Sequence, residues 1–581
     1  MRKPFLFLLT VVLALTGGYA LLRAQTPGYL WAQQAGSEHN VDCFAIAYDG
    51  GNHIMVAYNY ADSVGLSSLD GNTVSLTTDG NDACIAKYNL EGNLIWVEKV
   101  GGSEGEFIYD IELDNQGNSY ICGVFLGTIV FGAGESNETT LVSGQKNDIF
   151  LAKYSAEGDL LWADGAGGPE QAATFCVAVD EDGTCSITGG FKGTITFGAG
   201  GSHETVLTSD VDYDLFLARY GTDGDLRWAK KTAGTNMFLG LNIAAIGRDR
   251  LAVTGRFYDT VTFGAGETNE TVLESRGDCE IFVALFDSSG ALQWARGAGS
   301  DDYDFGAAIA VDGAGNSFVT GRFKGEAVFG AGQPQETWIS SAGEFDLFVA
   351  KWDIAGNLAW VRQAGGAQWD LGYSIATDGM GNCLVSGKFD TTCVFEAGTT
   401  SETSITSNGV ADFYFAEYTG EGDLVRVVSG GGEGFDYADG ICAGSSGSVL
   451  ICGQIQNDVS FGSEILHAVS GYDGFFALWV PDVTGIADRE MPLPDRFELL
   501  QNYPNPFNPE TRIVFRLPQK EQVTLTVYDM SGRKVAELLN EKLEAGDHSV
   551  RFDGRNLPSG IYLCGLRAGG HILVRKMALI R

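Results

Sequence analysis

Residues 214–228 read DLFLARYGTDGDLRW, and the chain writes this sentence again and again. It recurs as NDIFLAKYSAEGDLLW ending at Trp162, CEIFVALFDSSGALQW ending at Trp294 and FDLFVAKWDIAGNLAW ending at Trp360. NDACIAKYNLEGNLIW ends at Trp96, and ADFYFAEYTGEGDLVR puts Arg426 at the tryptophan position. From Trp96 to Arg426 each marker follows the last by 66 residues. Gly123, Gly189, Gly255, Gly321, Gly387 and Gly453 share this lattice, as do the acids Asp82, Asp148, Asp214, Glu280, Asp346 and Asp412. A fixed period of this size marks supersecondary units stacked on one another.

Within one unit the strands are legible. Residues 175–180 and 185–190 alternate around Glu181-Asp182-Gly183, and 215–220 and 226–229 flank Thr222-Asp223-Gly224. Between them, 194–197 and 205–208 flank a polar tip. Period-two apolar patterning punctuated by Gly and Asp predicts antiparallel sheet. Seven such units are expected over residues 25–482. At the ends, GYLWAQQAG (28–36) is a tryptophan strand without its partner, and GFFALWV (474–480) is that partner without its tryptophan strand. Pairing them would close a ring and remove two open sheet edges. A β-propeller has reason to split one unit this way and a solenoid has none, so the expected fold class is all-β with a seven-bladed β-propeller. A WD40-type blade is disfavoured, because its repeat is shorter and its signature different.

The pattern DxFxAKYxxxGxLxW followed by a Gly-Gly doublet and IAxDxxGNxYxxGxF resembles the bacterial seven-bladed β-propeller repeat family called SBBP. The match is specific over residues 110–134, 148–168 and 346–389, and departs at Ile246, Gly444 and Arg426. The resemblance implies a fold and a secreted or surface setting, and no catalytic activity.

Residues 1–24 carry Arg2 and Lys3, an apolar run and then small residues, the order of a signal peptide; the apolar core is short for the alternative, an uncleaved membrane anchor. No other segment is long and apolar enough to span a bilayer. Residues 483–496 read as a linker. Residues 497–581 then carry short strands spaced as in a small immunoglobulin-like β-sandwich. Asn502-Tyr503-Pro504-Asn505-Pro506-Phe507, Val527-Tyr528-Asp529 and Gly560-Ile561-Tyr562 closely resemble the type A C-terminal sorting domain of type IX secretion. That resemblance implies the secretion machinery as a partner and export to the extracellular space or outer-membrane surface of a Gram-negative bacterium.

Charge narrows the partners further. Residues 25–482 hold 63 acidic and 20 basic side chains, within a whole-chain net charge of −38. Such a body repels phosphate backbones, so nucleic acid is not an expected partner. The 11 cysteines show no CxxC or Cys/His cluster, and the 6 histidines share no repeat position, so no metal site and no catalytic residue is assigned. The turns beginning at Asp114, Asp180, Asp312 and Asp378 leave calcium open, although Asp, Asn and Gly there also suit a tight hairpin.

The sharpest candidate site lies in the loops leading into each unit. Tyr303-Asp304, Trp369-Asp370 and Phe435-Asp436 stand on one lattice position in three consecutive units, and Glu106 shares the acidic column. Aromatic faces stack on sugar rings, and carboxylates accept hydroxyl protons. The alternative is that each aspartate caps its own loop and the aromatic packs between units. The expected function is a non-catalytic binding or adhesion module for a glycan or protein ligand. The rivals are a polysaccharide hydrolase or lyase using carboxylates at the channel mouth, and a structural surface-layer component.

Overall fold

A computed structural model describes residues 28–481 except 103, 211, 235, 237, 462, 463 and 470, and residues 497–579 except 500–506, 508, 531, 544, 545 and 556. The expected signal segment, the linker, and Asn502, Tyr503, Pro504, Asn505 and Pro506 lie outside the described residues. The fold is all-β, and the helical structure among the described residues is one 3-10 turn at Ser445–Gly447.

The opening stretch supplies two strands of a four-stranded antiparallel meander: Ala172–Val179, Cys185–Phe191, Asp214–Tyr220 and Leu226–Lys231, paired in chain order. The two middle strands are buried at every position. Both their faces are covered, which is why DLFLARY reads as a continuous run where strict alternation was expected. The same meander starts at Val41–Tyr48, Gly105–Leu113, Phe238–Ile246, Phe305–Val311, Asp370–Thr377 and Tyr437–Ala443. In chain order these are units 1 to 7, with Ala172–Val179 opening unit 3. Unit 7 takes its fourth strand from the N-terminal side, Gly28–Gly36 pairing with Asp473–Val480 at Ala32↔Ala477.

Two joints hold each unit to the next. First, the tryptophan indole donates across the gap: Trp96 to Ala156 O (3.2 Å), Trp162 to Thr222 O (3.1 Å), Trp294 to Ile354 O (3.1 Å) and Trp360 to Gly420 O (3.0 Å). Trp31 of unit 7 makes the same bond to Leu90 O of unit 1, at 3.0 Å. Where Arg426 replaces tryptophan, its guanidinium reaches Gly447 O at 3.3 Å and lies over the Trp479 ring. Second, the end of each fourth strand pairs with the small hairpin of the following unit, as at Gly101↔Val130, Gly167↔Thr196, Ala364↔Phe395 and Gly431↔Ser460. Ala35↔Leu66 is the same joint between units 7 and 1. This joint explains the Gly-Gly doublet: a Cβ on Gly168 would lie 1.8 Å from Thr194 O of the neighbouring hairpin.

Apolar clusters sit between units. One joins Ile149 and Leu151 of unit 2 to Val177, Ile187 and Phe216 of unit 3, and another joins Phe476 of unit 7 to Ile54 and Val56 of unit 1. Each fully buried side chain of this kind contributes about 2 kcal/mol. All 11 cysteines are free, and all but the half-buried Cys442 are buried.

The C-terminal region forms a three-stranded sheet, Glu498–Leu499, Glu510–Leu517 and Gly546–Asp553, and a four-stranded sheet, Lys534–Leu543, Glu521–Asp529, Gly560–Ala568 and His571–Leu579. The sheets share one apolar cluster in which Ile513, Phe515 and Leu517 meet Val523, Leu525, Leu566 and Met577. Phe507 is buried in it, and Tyr562 donates its hydroxyl to Pro558 O at 2.7 Å.

Candidate binding site

Every first strand carries a bulge against its second strand. The extra residues are Phe44, Tyr109, Phe175, Leu241, Ala307, Tyr373 and Asp439. A bulge bends its strand and re-aims the side chain it carries. All seven line one cavity of about 760 Å³, which runs down the first strands to Val311, Thr377 and Ala443. Its wall is unequal. Phe44, Tyr109 and Phe175 make an edge-to-face aromatic series through units 1 to 3, whereas the bulge of unit 5 presents only Ala307, beside Phe305 and Arg322 of the same unit.

The loops into units 5, 6 and 7 divide the candidate residues into two sets. Asp304, Asp370 and Asp436 are fully buried and cap their own loops. Asp370 accepts from Gly366 N at 2.7 Å, Asp436 from Gly432 N at 2.7 Å and Gln456 N at 2.9 Å, and Asp304 from Lys324 N at 3.1 Å. Burial raises all three carboxyls, to about 6 for Asp304, about 8 for Asp370 and about 7 for Asp436. Glu106 is built alike, accepting from Gly102 N at 3.1 Å, and is raised to about 8 by burial and then by the neighbouring Asp82. It lies with Asp82 at the junction of units 1 and 2.

The aromatic partners face outward. Trp369 is 43% exposed, and Tyr303 and Phe435 are half-buried. Phe345 links the first two, with centroids 6.4 Å from Tyr303 and 5.3 Å from Trp369. Lys388 continues the band, 5.7 Å from Trp369 and 6.0 Å from Tyr437, against which Phe435 lies tilted. Two guanidiniums complete it. Arg256 donates to the Tyr303 hydroxyl, and Arg322 lies over Tyr303, Phe305 and Phe345 at 5.6, 4.9 and 5.2 Å.

Arg256, Arg322 and Lys388 were missed in the sequence reading, yet they carried a signal. They are 66 residues apart, one per unit in three consecutive units, inside a body poor in basic residues. Deeper in the cavity, Glu112 stands where other units have Ala178, Ala244, Ala310 and Ala376. Glu112 is exposed to the cavity's solvent, and the walls around it, then the nearby Asp110, push its carboxyl upward. Asp110 itself accepts from Val177 N at 3.0 Å, the bond that Asn242 repeats with Ile309 N. Its position is therefore part of the joint between units.

The turn aspartates considered for calcium bind their own backbone. Asp114 accepts from Gln116 N and Asn118 N at 2.9 and 3.0 Å, and Asp312 from Ala314 N and Asn316 N at 3.0 and 2.9 Å. A lysine stands against each, Lys153 at 3.2 Å and Lys351 at 3.5 Å.

Residues 501–580 match the family of the Secretion system C-terminal sorting domain. The chain therefore ends in a type IX sorting domain, which directs it to the cell surface or extracellular space through the type IX secretion machinery. Over 537 residues the chain is 22% identical to an uncharacterized WD repeat-containing protein, L264, of Acanthamoeba polyphaga mimivirus, covering 79% of this chain and 39% of that protein. Over 143 residues it is 27% identical to the regulatory protein FlaEY of Caulobacter vibrioides, covering 25% and 15%. The chain thus spans well under half the length of these relatives. A solved structure of trypsin-activated alpha-2-macroglobulin from Escherichia coli covers 96% of this chain and 49% of its own at 8% identity and a TM-score of 0.11, which carries no inference about fold. No helix of the described residues is long and apolar enough to cross a membrane.

Proposed function

We propose that residues 25–482 form a closed seven-bladed β-propeller of the SBBP kind, exported by the sorting domain at residues 497–581 to the surface of a Gram-negative bacterium or its surroundings. In this reading units 1 to 7 are the blades and the central cavity is the channel. Support comes from the two joints, which run from unit to unit and recur between units 7 and 1, and from the WD-repeat relative. The propeller works as a non-catalytic binding module that holds a glycan or protein ligand at the channel mouth.

The observation that carries this function is the one-sided band of rings and cations on units 4 to 7, with Trp369 presented to solvent. The buried aspartates behind it hold the loops that display it. The test is retention of the purified full chain on immobilised polysaccharides and cell-surface proteins. Trp369→Ala is expected to weaken retention about tenfold with an unchanged melting temperature, the effect of removing one aromatic anchor. Absence of retention on every surface overturns the reading.

Glu112 favours a second reading, polysaccharide cleavage inside the channel. A carboxyl that holds its proton more tightly than usual suits a general acid. Soluble product released by the full chain and abolished by Glu112→Gln would replace the binding reading.

A further inference from the structure

The Arg322 side chain makes no hydrogen bond and no ion pair with any described residue, and its Nε is buried. A guanidinium carries five donors and stays charged at every physiological pH. Leaving the Nε donor away from water without a partner is costly, so this guanidinium at the cavity edge is a site prepared for an acceptor.

The surroundings hold it ready. Three aromatic faces, Tyr303, Phe305 and Phe345, surround the guanidinium plane and attract its charge. That fixes its orientation before any ligand arrives and lowers the ordering cost of binding. Ala307, the smallest side chain of the bulge series, leaves the cavity open beside it. The nearby cations are differently placed: Lys388 is paired with Asp390 at 2.8 Å and Lys324 with Glu344 at 2.8 Å. Asp304, the carboxylate of the adjacent loop, is buried and bound to Ser300 and Lys324 N.

We propose that Arg322 receives the carboxylate or sulfate group of an acidic polysaccharide whose sugar ring stacks on Trp369. The inference rests on the binding-module reading and names the ligand class. Arg322 and Trp369 both contact Phe345, so an anionic group and a flat sugar face meet the site within a short span. Anionic sugars combine these two features in one or two residues, and a planar fork matches a carboxylate or sulfate through paired hydrogen bonds. The net negative charge of the surrounding body opposes unspecific attachment of polyanions.

The experiment compares the full chain with Arg322→Gln, Arg322→Lys and the remote surface control Lys192→Gln on polygalacturonate, dextran sulfate and neutral dextran. Wild-type chain is expected to prefer one acidic polymer over dextran, and the preferred one identifies carboxylate or sulfate as the group held. Arg322→Gln should weaken that binding about tenfold or more, the loss of a charge-assisted bidentate contact. Arg322→Lys should fall between, Lys192→Gln should match wild type, and all should melt at the wild-type temperature. Binding of neutral dextran that depends on Trp369 and ignores Arg322 overturns this inference and leaves the binding module standing. Acidic-polymer binding unchanged in Arg322→Gln also overturns it, and binding to none of the three polymers removes it.

Discussion

The indole nitrogen of Trp228 donates to the carbonyl oxygen of Ser288, 2.9 Å away in the next unit. The two residues are sixty positions apart, the separation that recurs for Trp96, Trp162, Trp294 and Trp360. The residue that looked like a motif is therefore a joint. Its ring covers the neighbour's turn and its one polar atom satisfies that turn's carbonyl. Trp228→Phe keeps most of the packing and loses the bond, so it should lower unfolding free energy by about 1 kcal/mol. Trp228→Ala should cost about 3 kcal/mol. Urea titration followed by tryptophan fluorescence measures both.

The equivalent turn one unit earlier, under Trp162, explains a glycine. Gly224 has φ +84°, and a Cβ there would stand 2.7 Å from the Trp162 ring; Gly200 has φ +78° with nothing within 4 Å. Gly200→Ala should cost about 1 kcal/mol from backbone strain alone. Gly224→Ala adds overpacking of roughly 1–3 kcal/mol. Equal melting temperatures for the two variants would show that the ring contact plays no part.

Asp370 gives the pH prediction. Burial is the main cause of its raised value of about 8, with the charges of Asp346 and Asp390 adding and the Gly366 N–H opposing. The unfolded chain releases this proton near pH 4 and the folded chain keeps it, so the folded state binds more protons in between. Its contribution to stability is full below about pH 4 and is lost as pH rises through about 8. Asp370→Asn cannot ionise, so its melting temperature should fall less than that of wild type between pH 4 and pH 8. Parallel curves would contradict the assignment.

The pairing of Gly28–Gly36 with Asp473–Val480 predicts a truncation phenotype. Without residues 28–36 the Asp473–Val480 strand becomes an open edge with buried apolar neighbours, a template for self-association. Size-exclusion chromatography should show dimers or larger species for the truncated chain and none at the same concentration for the intact one.

The sorting domain predicts location. In a host with a type IX system, removal of residues 501–580 should keep the rest of the chain from the cell surface and medium. Cell fractionation with surface labelling reads this directly. Unchanged surface labelling would show that the domain is dispensable for export.

Much was legible in the residues. The 66-residue spacing placed the strands, the Asp-x-x-Gly turns ended them, and GYLWAQQAG and GFFALWV named the two halves of one split unit. These features are local or periodic, and a period survives in one dimension. The candidate loops were legible only as pairs: Tyr303 with Asp304, Trp369 with Asp370, Phe435 with Asp436. Adjacent residues in a bend have no periodic rule for which one turns to water, and the structure turns the aromatics outward and the acids inward onto backbone N–H groups.

The sequence by itself determined the repeating all-β unit, the completion of unit 7 from both sides and the sorting tail, because strand alternation, turn chemistry and motif spacing are written along the chain. Only the tertiary structure decided what surrounds Arg322. Its aromatic neighbours come from two segments, positions 303 and 305 on one and 345 on the other, and its side chain's lack of a polar partner depends on where every nearby carboxylate points. An unmet hydrogen-bonding capacity is a property of a filled volume, and it exists only once the chain has packed.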